Sequence, residues 1–221
     1  MGFEHLDFAV ILLQIVLIDL LLGGDNAVVI ALACRKLPPQ RQKKAIILGT
    51  FGAIVARVVL LIIAVQLLAL PWLKVVGGLL LLWIGFKLVS NEEEETTVDS
   101  DSRLWKTVLT ITLADVVMSL DNVLAVAAAG NGNVWLVSFG VLISIPVIMM
   151  GSKLVLKLLT RFPFIVTLGG ALIGWIAGSM LVSDPALQHL TGHLAWLHWV
   201  AGAAGALLVM GYGVGRRALK V

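Results

Sequence analysis

Two copies of one charged phrase are embedded in the most apolar stretches of this 221-residue chain. The first reads Asp19-Leu-Leu-Leu-Gly23-Gly24-Asp25-Asn26 and the second Asp115-Val-Val-Met-Ser119-Leu120-Asp121-Asn122. Each places an Asp six residues after the first and an Asn directly behind it. A carboxylate at the centre of a bilayer helix costs roughly 2.5–3.5 kcal/mol on insertion scales, and such residues commonly mark an ion or substrate path. Four of them at matched spacing make this phrase the place to seek function.

The surroundings are those of a membrane. The chain is 60% hydrophobic, its mean hydropathy is +1.04, and only 13% of its residues are charged. Apolar runs long enough to cross a ~30 Å hydrocarbon core cover residues 8–33, 46–70, 72–90, 106–129, 134–156, 164–182 and 194–215. They predict an all-α membrane protein of seven transmembrane helices, filling a single transporter domain over 1–221. The N-terminus carries no basic residue and no small-residue cleavage site, so a cleavable signal peptide is not expected. Cys34 is the sole cysteine, which rules out an internal disulfide.

Basic residues fall in alternate loops. Arg35, Lys36, Arg41, Lys43 and Lys44 follow the first run, Lys87, Arg103 and Lys106 surround the third loop, Lys153, Lys157 and Arg161 the fifth, and Arg216, Arg217 and Lys220 end the chain. The intervening segments hold only Lys74, and Arg57 lies inside a run. The positive-inside rule then places the N-terminus outside and the C-terminus in the cytoplasm, in the cell's inner or plasma membrane. The net charge of +3 is accounted for by this orientation and does not call for nucleic acid.

The repeat extends beyond the phrase. Pro71, Gly77, Gly78, Trp83 and Ile84 return at one offset as Pro163, Gly169, Gly170, Trp175 and Ile176, while Phe51-Gly52 returns more weakly as Phe139-Gly140. This divides the chain into repeat one (8–90), an acidic cytoplasmic linker (91–103), repeat two (104–182) and an extra C-terminal helix (194–215). With three spans per repeat, the second copy must insert upside down, a plan recurrent in secondary transporters. The glycine pairs read as sites of close helix packing. At 1.5 Å per residue, Asp19, Asp25, Asp115 and Asp121 all fall within roughly 6 Å of the midplane.

Carboxylate and amide oxygens are hard ligands suited to Mg²⁺, Ca²⁺ or Mn²⁺. Asp19, Asp25, Asn26, Asp115, Asp121 and Asn122 are therefore the candidate metal ligands, with the cation as cargo and no resident cofactor. On an unbroken helix the two Asp of one phrase point apart. Gly23-Gly24 is where the first helix is expected to break and release backbone carbonyls, and a break at Ser119-Leu120 is less strongly indicated. Arg57 is read either as an internal counter-charge to one Asp, standing in when the cation is absent, or as half of a fixed ion pair. Without cation, some Asp should take up protons that cation binding releases, the basis of a metal/proton exchange. Glu92–Glu95 and the histidines 189, 193 and 198 read as solvated loop residues, and Pro146 predicts a kink.

The phrase residues, together with Arg57, resemble the TerC family of integral membrane proteins, and more closely its compact bacterial YjbE-type branch. The resemblance spans roughly 8–90 and 104–215. It implies manganese export, with the motif Asp and Asn residues as ligands, and no enzymatic activity. Two other classes stand beside it. A membrane-protein assembly or interaction factor remains an alternative. An intramembrane aspartyl protease is disfavoured because the chain's one tyrosine, Tyr212, is far from either phrase. Oligomeric state, coupling ion and the ranking of Mn²⁺ against Ca²⁺ are open at this level.

Overall fold

A computed structural model of the chain describes residues 2–68, 70–90, 100–129, 133–162, 164–191 and 193–218. All regular structure among them is helical: α1 (Gly2–Leu22), α2 (Gly24–Cys34), α3 (Pro39–Leu68), α4 (Leu73–Val89), α5 (Ser100–Ala129), α6 (Val134–Arg161), α7 (Phe164–Val182), α8 (Gln188–Thr191) and α9 (Ala195–Ala218). A short 3₁₀ turn, Pro185–Leu187, precedes α8. Four helical stretches are each long and apolar enough to cross a bilayer: Pro39–Ile63, Trp135–Arg161, Phe164–Val182 and Trp196–Gly215. Phe8–Leu22 and Gly24–Cys34 together make a fifth, bent by 49°. The two remaining apolar runs lie on α4, which has only 17 residues, and on α5, where several side chains of the run lie outside the described residues. Several helices outrun the apolar segments that announce them, with α3 and α5 starting among the basic and acidic residues of the flanking loops. The acidic residues 92–95 lie outside the described residues.

Glycines set the distances between helices. A methyl group on Gly78 of α4 would stand 2.9 Å from the Ala177 carbonyl of α7. One on Gly174 or Gly178 of α7 would overlap the backbone of α9 at Gly205 and Ala201. No side chain can yield there, so these positions hold backbone against backbone, as small residues do between membrane helices. The expectation for the glycine pairs is met, because Gly77 lies against Val117 and Leu120 of α5 and Gly169 against Val28 and Leu32 of α2.

The packing is reciprocal between the two halves. Gly52 of α3 lies against Thr112 of α5, and Gly140 of α6 lies against Ile15 of α1. Gly78 of α4 touches α7, and Gly170 of α7 would meet Val89 of α4. Each half thus lends its second and third helices to the other half. The core that results is aliphatic, with Ile15, Leu32, Leu81, Ile84, Ile111 and Ile173 all buried.

One loop contact ties the halves together at the α7–α8 end. The Asp184 carboxylate accepts the backbone N–H groups of Trp72 (2.9 Å), Lys74 (2.9 Å), Val75 (3.2 Å) and Ala186 (2.8 Å). It supplies the cap that α4 lacks, since the N-cap position is held by Trp72 in the left-handed region at φ 69° with no capping side chain of its own. An anion is favoured at a helix N-terminus by the unpaired N–H groups and the macrodipole. Burial acts to raise the Asp184 pKa, but the four N–H donors outweigh it and hold the carboxyl below the usual carboxylate range.

Candidate cation site

The chain bends inside the first phrase. Gly23, with φ −102° and ψ 9°, ends α1 and begins α2. Its N–H still reaches the Asp19 carbonyl at 2.7 Å, but the Asn26 N–H turns to the Gly23 carbonyl at 3.1 Å instead of reaching back four residues to Leu22. The Leu22 carbonyl is thereby released from the helix, and the Asn122 side-chain amide of the second phrase donates to it at 3.1 Å. The break expected at Gly23-Gly24 is present, and it frees a carbonyl as expected. In the second phrase α5 runs through Ser119-Leu120 without interruption.

Arg57 of α3 stands between the two phrases. Its Nη1 donates to Asp19 Oδ1 at 2.6 Å, its Nη2 to Asp115 Oδ1 at 2.7 Å and its Nε to Ser119 Oγ at 3.1 Å. The first Asp of each phrase is therefore bound to one guanidinium, where the sequence reading had paired Arg57 with a single Asp. Ser119 Oγ also donates to Asp115 Oδ2 at 3.3 Å. Ser144 of α6, fully buried, shares its one hydroxyl proton between Asp19 Oδ2 and the Val141 carbonyl 2.8 Å away. Asp19, Arg57 and Asp115 are 2%, 7% and 8% exposed, so this is an ion trio shielded from solvent. Buried charges persist only when paired and hydrogen-bonded, and all three are.

Some side-chain atoms of the first phrase are buried without partners. Asp25 Oδ1 and both amide atoms of Asn26 have none, and neither has the Thr50 hydroxyl of α3. Asp25 lies within electrostatic reach of Asp115 and Arg57. The side chain of Asp121 lies outside the described residues. Among the described residues, no three Asp, Glu, His or Cys stand together as a ready metal cage. Arg57, not a gap, separates the first carboxylates of the two phrases.

A small cavity lies on either side of Arg57. One, of about 20 Å³, is lined by Thr50, Asp115 and Ile145 among others. The other, of about 10 Å³, is lined by Asp19, Ser119 and Asn122 among others. A water molecule needs about 10–15 Å³ by this measure, so the Thr50 cavity admits one small particle and the Asn122 cavity is at the limit. Ser119, Ser144 and Thr50 were not singled out as site residues from the sequence. Their signal was a hydroxyl in an otherwise apolar helical run, and Ser144 carried the added mark of standing two residues before Pro146.

Comparison with known proteins places this arrangement in a family. The model of the integral membrane protein TerC family matches residues 4–218. The chain is 46% identical over 185 residues to the uncharacterized membrane protein YjbE of Bacillus subtilis, covering 84% of each. It is 30% identical over 209 residues to the uncharacterized membrane protein YceF of the same organism, covering 90% of this chain and 80% of that one. The UPF0053 protein YegH of Escherichia coli is 28% identical over 178 residues, 71% of this chain but 33% of that longer protein. No solved structure matches the chain. The chain belongs to the TerC family of integral membrane proteins.

Proposed function

We propose that this TerC-family chain is a secondary transporter that exports divalent cations, Mn²⁺ foremost, from the cytoplasm across the plasma membrane, without catalytic chemistry of its own. The observation that carries this reading is the charge balance of the buried centre. Asp19, Asp25 and Asp115 with Arg57 sum formally to −2, and Asp121 of the second phrase adds a further negative charge, so the centre carries an excess that a divalent cation offsets. The free oxygens of Asp25, Asn26 and Thr50 are hard donors, the type that prefers Mn²⁺, Mg²⁺ or Ca²⁺ over softer metals. Asp19, Asp25, Asn26, Asp115, Asp121 and Asn122 are the ligands in this proposal. The reciprocal packing of the halves supports an inverted repeat, and the alternation of basic loops along the sequence supports seven spans with the N-terminus outside and the C-terminus in the cytoplasm. Under that orientation the Thr50 cavity faces the cytoplasmic side, and cation release is coupled to proton uptake by those emptied carboxylates that Arg57 does not hold.

The test is Mn²⁺ flux through purified protein in liposomes. Asp25→Asn and Asp121→Asn keep side-chain shape and remove one charge each, so both are expected to abolish most flux while the protein stays monodisperse. Glu93→Gln in the acidic linker, a run the sequence reads as a solvated loop, should change flux little, because charge in water is screened within about 10 Å at ordinary salt. Parental rates in both Asp variants would remove the phrase from the transport path.

A further inference from the structure

Arg57 bonds one carboxylate from each of the two cavities. Asp115 lines the Thr50 cavity but not the other, and Asp19 lines the Asn122 cavity but not the first. Only Arg57 and Val141 line both. The guanidinium is thus the polar element of the wall between two spaces, and each of its terminal nitrogens faces the acid of a different one. A fixed structural pair would need one acid. Here the same cation is shared by the first Asp of each copy of the phrase.

Nothing in the second half duplicates it. At the spacing that aligns Phe51-Gly52 with Phe139-Gly140, the counterpart of Arg57 is Ile145, an apolar residue on the wall of the Thr50 cavity. One permanent charge therefore serves a site built twice. Arginine stays protonated at any working pH, and its planar fork holds two carboxylates at once in a way an ammonium does not.

From this we infer that Arg57 is the tethered cation of the empty carrier. The transported ion displaces it from one carboxylate at a time, and while the site is empty its bonds to both keep the two cavities apart. This rests on the transport reading above. An ion arriving in the Thr50 cavity meets Asp115 and takes its oxygens, while Arg57 keeps Asp19 and the far side stays closed. Departure of the ion on the other side returns Asp115 to Arg57. No covalent bond changes. The loaded site carries its own neutralising charge, so the step that depends on Arg57 is the return of the empty one. With Arg57 gone, two buried carboxylates would have to return with no counter-charge, which the low-dielectric interior opposes.

That assigns different fates to two modes of transport by the same protein. Arg57→Gln is expected to slow exchange of labelled Mn²⁺ against Mn²⁺ on the opposite side far less than it slows net efflux, because every exchange crossing is loaded. Net efflux into metal-free buffer should fall by about a hundredfold, the scale on which stranding buried charge weighs. Arg57→Lys, which restores a charge without the fork, should regain part of the net flux. A parallel loss of both modes in Arg57→Gln, or a normal net flux, overturns the inference. Parental protein that moves no divalent cation in either mode overturns the transport reading instead. A second measurement needs no variant. In parental protein with nitrogen-labelled arginine, Cd²⁺ as a diamagnetic probe should shift the Arg57 side-chain resonances on binding, and saturating Cd²⁺ with no shift overturns the inference.

Discussion

Asn26 and Asn122 occupy the same place in the two copies of the phrase, yet the structure assigns them opposite weights in stability. The Asn122 amide holds the Leu22 carbonyl, which the bend at Gly23 releases from α1. In hydrocarbon no water can replace it. Asn122→Ala leaves that carbonyl unpaired. A stranded buried polar group costs about 1–3 kcal/mol, and since Asn122 is only half-buried the lower part of that range, about 1–2 kcal/mol, is expected. Asn26 is 3% exposed with neither amide atom partnered, so its desolvation is already uncompensated. In Asn26→Ala, relief of that penalty offsets the small void created, and stability should stay within about 1 kcal/mol of parental. The assay is reversible unfolding of the purified protein in mixed micelles titrated with denaturing detergent. Each variant is compared with parental protein in metal-free buffer, since bound cation would add its own stabilisation. Equal losses in the two variants, or no loss in Asn122→Ala, would show that the bend is held by something other than the cross-phrase bond.

Two further perturbations address the frame around the site. Gly174→Val should separate α7 from α9, because its side chain would overlap the backbone at Gly205. Overpacking against an unyielding neighbour typically costs about 1–3 kcal/mol, readable in the same unfolding assay. Asp184→Ala should weaken the start of α4 by about 1 kcal/mol at neutral pH, the usual scale of a lost helix cap. Because the folded-state pKa of Asp184 is depressed, its contribution is fully present above the unfolded value of about 3.9 and disappears as pH falls through the folded value. Asp184→Asn should therefore flatten the acid limb of the stability profile, and an unchanged limb would mean the carboxylate is not the group that titrates there.

Much of this was legible in the sequence because membrane burial makes charge conspicuous. Asp19, Asp25, Asp115 and Arg57 stand out against aliphatic neighbours, and Gly23-Gly24 announces a break that a helix of leucines would not allow. The glycine repeats foretold close packing for the same reason. Contacts between distant residues were not legible. Nothing in the spacing says that Asn122 reaches the Leu22 carbonyl or that Arg57 bridges two acids rather than one, since both depend on how α1, α3 and α5 meet. The cap from Asp184 to α4 joins residues more than a hundred positions apart, and an acid in a polar loop gives no hint of three distant N–H partners. Ser119, Ser144 and Thr50 were hidden by their chemistry, because a hydroxyl inside a membrane helix usually bonds its own preceding turn.

The divergence between the copies explains how a two-fold pattern yields one centre. At the matched spacings, Ser119 of the second phrase stands where the first has Gly23, Ser144 stands where the first half has Ala56, and Ile145 stands where it has Arg57. The first half contributes the permanent cation and the flexible break. The second contributes the hydroxyls that bond Arg57, Asp115 and Asp19, together with an unbroken helix on which the amide of Asn122 is held against the break. Two guanidiniums would neutralise Asp19 and Asp115 fully and leave only the second Asp of each phrase to attract a cation. None would leave two buried carboxylates facing each other, which protein interiors resolve by neutralising one of them. A single Arg between the first Asp of each phrase leaves a negative excess small enough to bury and large enough to bind.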